Sequence, residues 1–85
     1  MEKYSLKVTK CFERNFRKLN IQLKRRIDSA IRSLQVNPYI GKCLRGELSG
    51  KMSLRIGDYR IIYMIDESKK TVILYNVGHR RTVYE

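Results

Sequence analysis

The residues best suited to chemistry in this chain are arginines placed to meet a phosphodiester. Arg55 and Arg60 flank Gly57-Asp58 within Leu54-Arg55-Ile56-Gly57-Asp58-Tyr59-Arg60-Ile61-Ile62-Tyr63, and Arg80 lies in the closing stretch His79-Arg80-Arg81-Thr82-Val83-Tyr84. A Gly-Asp pair between two β-rich runs reads as a tight hairpin. Counting outward from a two-residue loop sets Ile56 against Tyr59 and Arg55 against Arg60, so the two guanidiniums share a face. Like charges directly opposite one another cost on the order of a few tenths of a kcal/mol when solvated, so the fold alone gives no reason to pair them. A bound anion gives one; the alternative is that both splay into water from an exposed face.

Arginines, lysines and a tyrosine on one face suit phosphate recognition, and with it cleavage of RNA through attack of its own 2′-hydroxyl on the adjacent phosphorus. That route needs no protein nucleophile. It needs charge stabilisation on a phosphorane, which Arg gives bidentately, and proton transfers for which Tyr, Lys or His are candidates. DNA, lacking the 2′-hydroxyl, would be bound but not cut this way. Other chemistries find little support. His79 is the lone histidine and the acids are scattered over turns and helix surfaces, so no metal set is expected, and no cofactor either. The glycines Gly41, Gly46 and Gly50 are too dispersed for a phosphate loop.

The charge balance points the same way. Nineteen Lys+Arg against eight Asp+Glu leave a formal net charge of +11, which in 85 residues implies a polyanionic partner. Nucleic acid leads, and an acidic protein would be drawn as well. A length of 85 residues with 42% hydrophobic content fits one domain over 1–85. No apolar run approaches the roughly 20 residues of a membrane span. Met1-Glu2-Lys3-Tyr4 lacks the apolar core of a signal peptide, so a cytoplasmic location is expected. Cys11 and Cys43 have no close ligand partners and are read as buried thiols.

The elements that must position these groups follow from periodicity. Tyr4 to Val8 alternates as a first strand with one buried face. Thr9 offers an N-cap, and Phe12, Phe16 and Leu19 recur at helical spacing. Asn20 ends that helix and caps a second, whose stripe is Leu23, Ile27, Ala30, Ile31 and Leu34, and which Asn37-Pro38 stops. Lys24 and Arg25 sit on its surface, either as a solvated face or riding along a phosphate backbone. Tyr39 to Gly50 reads as a loop anchored by leucines. Lys51 to Ile56, Tyr59 to Asp66 and Thr71 to Val77 follow as an antiparallel meander that Gly78 closes. The unbroken apolar run Ile61 to Ile65 marks the second of these as central. The predicted architecture is α+β: an N-terminal strand, a two-helix hairpin on one sheet face, and an antiparallel sheet of about four strands in the order β-α-α-β-β-β.

Leu44-Arg45-Gly46-Glu47-Leu48, the hairpin run Leu54 to Tyr63, and Val77-Gly78-His79-Arg80 with Tyr84 resemble the RelE branch of the RelE/ParE toxin superfamily, over nearly the whole chain. The resemblance implies a toxin of a type II toxin–antitoxin pair: an endoribonuclease, or mRNA interferase, that enters the ribosomal A site, cuts the messenger there and inhibits translation. It also implies an acidic, RelB-like antitoxin that neutralises it by wrapping its surface. By the same resemblance Arg60 stabilises the transition-state phosphate, Arg80 neutralises charge, and Tyr84 stacks on or orients the nucleotide. Lys51 is then the family-based choice of general base, a second family lysine falling on Ser53 here and His79 being the chemical alternative, and Arg55 assists phosphate binding. His79 and Arg81 add to the phosphate-binding set. The alternatives are a ParE-like inhibitor of DNA gyrase, which has no need of Arg80 or Tyr84, and a non-catalytic basic module bound to RNA or to an antitoxin.

Overall fold

A computed structural model describes residues 3–83. The chain begins with strand β1 (Ser5–Val8), after which Thr9 turns it into helix α1 (Lys10–Arg17). Thr9 does two jobs at this corner. Its hydroxyl accepts the Phe12 N–H at 3.1 Å, satisfying one of the helix's orphan donors, and donates to the Tyr75 carbonyl at 2.7 Å, tying the corner to the sheet. Asn20 repeats the capping for helix α2 (Ile21–Val36), accepting the Leu23 N–H at 2.9 Å. Asn37 in extended geometry, with Pro38 behind it, ends α2 and opens a single 3-10 turn, Pro38–Ile40.

Four further strands follow: β2 (Lys42–Cys43), β3 (Met52–Ile56), β4 (Tyr59–Asp66) and β5 (Thr71–His79), with a second 3-10 turn at Gly46–Leu48. They form one sheet in the order β1-β5-β4-β3-β2. The β3–β4 hairpin has the expected register, with Ile56 opposite Tyr59 and Arg55 opposite Arg60. Gly57 carries φ +61 while Asp58 does not enter the left-handed region, which is the pattern of a type II′ turn with glycine first.

Both helices lie on one face. Phe12, Ile27, Ile31 and Leu34 from α1 and α2 meet Met52, Ile61, Tyr63, Val72, Leu74 and Val77 from β3, β4 and β5. Because side chains alternate along a strand, Ser53, Arg55, Arg60 and Ile62 point away from this core to the helix-free face. β4 is central and buried on both faces: Ile61, Ile62 and Tyr63 are at most 2% exposed.

The α+β plan is the expected one, and it differs in four details. The sheet is mixed, because β1 joins the outer side of β5 in parallel, Ser5 opposite Thr71 through Val8 opposite Leu74. Alternating apolarity gives no direction for a strand's neighbour, and at this sheet edge the expected buried face is missing too: all four residues of β1 are exposed, Leu6 and Val8 included. A fifth strand arises inside the expected loop, where Lys42 and Cys43 pair with Ser53 and Met52. β5 does not stop at Gly78: it runs on to His79, held by Arg60 opposite Gly78 and Tyr59 opposite His79. The cysteines are free and neither is buried, Cys11 being half-buried and Cys43 exposed on its edge strand. Beyond β5, residues 80–83 make a turn that packs Val83, 5% exposed, over Gly78.

Candidate nucleic-acid interface

The helix-free face carries an open cleft of about 820 Å³ lined by Lys42, Cys43, Leu44, Arg45, Ser53, Arg55 and Arg60. Four of the seven are cations and none is an acid. Its walls come from three strands. Lys42 stands opposite Ser53 across β2–β3, and Arg55 opposite Arg60 across β3–β4. Arg45 follows β2 where the Leu44 N–H still bonds the Lys51 carbonyl at 3.0 Å.

β2 is placed by a buried tyrosine. The Tyr63 hydroxyl, fully enclosed, donates to the Pro38 carbonyl at 2.6 Å and accepts the Gly41 N–H at 3.1 Å. Burial pushes this phenol above its ordinary value of 10.0, against the opposing pull of the Gly41 N–H, so it keeps the proton it donates. Gly41 sits so close that a Cβ there would collide with that hydroxyl and come within 2.9 Å of the Ser53 carbonyl. The residue before Lys42 is thus clamped against the backbone of β3 and the Tyr63 side chain of β4.

At the other end of the cleft the facing arginines converge on one acceptor. Arg55 Nε reaches the Gly57 carbonyl at 3.2 Å, and Arg60 Nη1 reaches the same oxygen at 3.5 Å and the Tyr59 carbonyl at 3.4 Å. A shared carbonyl dipole partly offsets the repulsion that facing guanidiniums incur, and leaves most of their N–H donors open.

The other candidate residues fall in different places. Arg80 does not line the cleft: its N–H bonds the Asp58 carbonyl at 2.8 Å and its Nε lies 4.0 Å from Asp58 Oδ1, so it stands at the hairpin turn beside Arg55 and Arg60. Lys51 shares the helix-free face by strand parity but is drawn along it, its Nζ resting 4.5 Å above the Tyr75 ring. His79 faces elsewhere. It stacks edge-on against Tyr59 at 5.5 Å, its Nδ1 accepts the Arg81 N–H at 3.2 Å, and it lines a hollow shared with Asn15 and Lys18 on the helical side. Lys24 and Arg25 lie on α2, across the sheet from the cleft. Arg81 is exposed in the turn after β5. Tyr84 lies outside the described residues. Lys42 and Arg45 were not singled out for the site from sequence. Only the β2–β3 register, set by tertiary contacts, brings them beside the arginines.

Among the described residues no group of His, Cys, Asp and Glu could hold a metal ion, and no helix is long and apolar enough to cross a membrane.

The sequence family described as the ParE toxin of type II toxin-antitoxin system, parDE, matches residues 3–84. Toxin RelG of Mycobacterium tuberculosis is 36% identical over 83 residues, covering 95% of each chain. Among solved structures, the toxin–antitoxin complex RelBE2 from M. tuberculosis holds a chain similar at TM-score 0.86 and 34% identity, covering 94% of both. A chain of the intact E. coli RelBE complex matches at TM-score 0.79 and 22% identity, over 89% of this chain and 95% of that one, a likeness of fold.

Proposed function

Because the chain belongs to the RelE/ParE family of type II toxin–antitoxin toxins, we propose that it acts in the cytoplasm as a ribosome-dependent endoribonuclease that cuts the messenger in the A site. The observation that carries this reading is the cleft on the helix-free face, four cations without an acid, presented by β2, β3, β4 and the segment that follows β2. An all-cationic concave surface draws a phosphate backbone and stabilises negative charge that grows on a phosphorus.

In the proposed reaction the RNA 2′-oxygen bonds to the adjacent phosphorus as its proton passes to a base, and the P–O5′ bond breaks as the departing oxygen takes up a proton. The products are a 2′,3′-cyclic phosphate and a 5′-hydroxyl. Arg60, half-buried and opposite Arg55, is the group best held to stabilise the phosphorane. Arg55, Lys42 and Arg45 bind the flanking phosphates, and Arg80 neutralises charge from the turn. Lys51, acting as a neutral amine once it has left the Tyr75 ring, takes the 2′-proton. Tyr84 orients the base.

The test is to add the purified protein to translating ribosomes and map new 5′ ends on the message, with naked RNA as control. New ends that require the ribosome support the reading. No new ends, together with DNA-damage signalling that survives Arg80→Gln, would instead identify a gyrase inhibitor.

The same surface fits an acidic antitoxin. A RelB-like segment covering the helix-free face would neutralise Arg55 and Arg60 by occupying the cleft, and its affinity should fall as salt rises; an affinity indifferent to ionic strength would argue against this contact.

A further inference from the structure

One arginine of the helical layer reaches the hairpin turn. Arg26 lies on α2, and a Cβ built on Gly57 would meet its Nη2 at 3.4 Å, its Nη1 at 3.7 Å and its Cζ at 4.0 Å. The guanidinium therefore lies within van der Waals contact of the place where a side chain at position 57 would begin. Arg26 is exposed, and among the described residues no carboxylate pairs with it.

The same two-residue turn already holds Arg55 and Arg60 at the Gly57 carbonyl and Arg80 at Asp58. Guanidiniums from α2, β3, β4 and the segment after β5 thus crowd one turn with a single carboxylate, that of Asp58. Each uncompensated pair costs Coulomb energy that an anion at the tip would convert into attraction. Solvated, the crowding does nothing for the fold. Laid along a phosphate chain, it continues the cleft.

We infer that the hairpin tip is a phosphodiester subsite adjoining the cleft, with Arg26 a binding residue that reaches it from the helical side. RNA leaving the helix-free face would bend around Gly57-Asp58, and Arg26 would hold the phosphate that has passed the turn. This rests on the RNA-binding reading above and names a residue for it outside the cleft.

The test measures binding of a fluorescent single-stranded RNA oligonucleotide across a range of KCl concentrations. It compares the wild-type chain with Arg26→Gln, Arg26→Lys, Arg60→Gln and Arg32→Gln. Arg32 lies on the same helix, 78% exposed and already paired with Asp28 at 3.0 Å, and serves as the charge-matched control. Losing one phosphate contact on a single strand should lower the slope of log affinity against log salt by about 0.7. Arg26→Gln should show that drop, Arg26→Lys should restore most of the slope, and Arg32→Gln should leave it unchanged. A wild-type slope in Arg26→Gln beside a reduced one in Arg60→Gln would overturn the tip subsite and leave the cleft standing. Equal drops in Arg26→Gln and Arg32→Gln would also overturn it, the effect then being net charge alone. A wild-type protein whose RNA affinity ignores salt would sink the nucleic-acid reading itself.

Discussion

Replacing Tyr63 by phenylalanine should damage the fold and the cleft together. The ring remains, so no cavity forms, but two buried hydrogen bonds vanish: the one to Pro38 O at 2.6 Å and the one from Gly41 N at 3.1 Å. At about 1 kcal/mol for each bond whose partner is left dry, the loss is about 2 kcal/mol. That is about thirtyfold in the folding equilibrium. For a domain of this size it lowers Tm by roughly 8–16 °C. Urea unfolding followed by circular dichroism gives the number directly, and an unchanged m-value would show that only stability moved. A second variant isolates the clamp. Gly41 has an ordinary φ of −82°, so Gly41→Ala carries no backbone penalty and acts through the methyl group's collision with the Tyr63 hydroxyl. Removing that hydroxyl relieves part of the clash, so the double variant should cost less than the sum of the two single ones. A loss below about 0.5 kcal/mol for Tyr63→Phe, or strict additivity in the cycle, would refute the account of how β2 is held.

Arg60→Gln should lower ribosome-dependent cleavage by about 10²–10³-fold, the usual effect of deleting one donor to a developing oxyanion, with Tm unchanged; 5′-end mapping on translating ribosomes reads it, and full activity would exclude Arg60 from the chemistry. Glu67 accepts hydrogen bonds from Tyr39 at 2.6 Å and Tyr4 at 2.7 Å, which hold its carboxyl below the ordinary value of 4.5. That contribution is present above pH 4.5 and lost as pH falls through the lowered folded value. The same bond to Glu67 pushes Tyr39 from 10.0 up to about 12, so its contribution is complete below pH 10 and lost as pH rises toward 12. Glu67→Gln should therefore flatten both flanks of the stability–pH profile, and a profile of unaltered shape would contradict the linkage. Thr9→Ala removes a cap and a tie to β5 and should cost about 1 kcal/mol in urea unfolding, whereas Thr9→Ser should retain most of it.

Much of the hairpin was readable because its logic is local. A Gly-Asp turn sets the count, and a period of two carries it outward to Arg55 and Arg60. The caps at Thr9 and Asn20 were readable for the same reason, each needing only a side chain and an N–H three residues on. What escaped the sequence depends on distant partners. Whether β1 runs parallel or antiparallel to β5 leaves no trace in Leu6 and Val8, and no periodicity extends over the two residues of β2. The cleft was half visible: the arginines of β3 and β4 could be counted, while Lys42 and Arg45 required the β2–β3 register. Arg26 was one basic residue among several on α2 until the helix was laid against the turn.

The parallel seat of β1 beside β5 also governs when the molecule can assemble. Ser5 waits for Thr71, and Val8 for Leu74, so the first strand has no docking place until β5 has been made. Closing so long a loop is slow compared with zipping the β3–β4 hairpin. During synthesis the arginine-bearing ribbon can therefore pair early while the layer beneath it is still open, and a rigid toxin surface emerges only after β5 has been released to join both its neighbours.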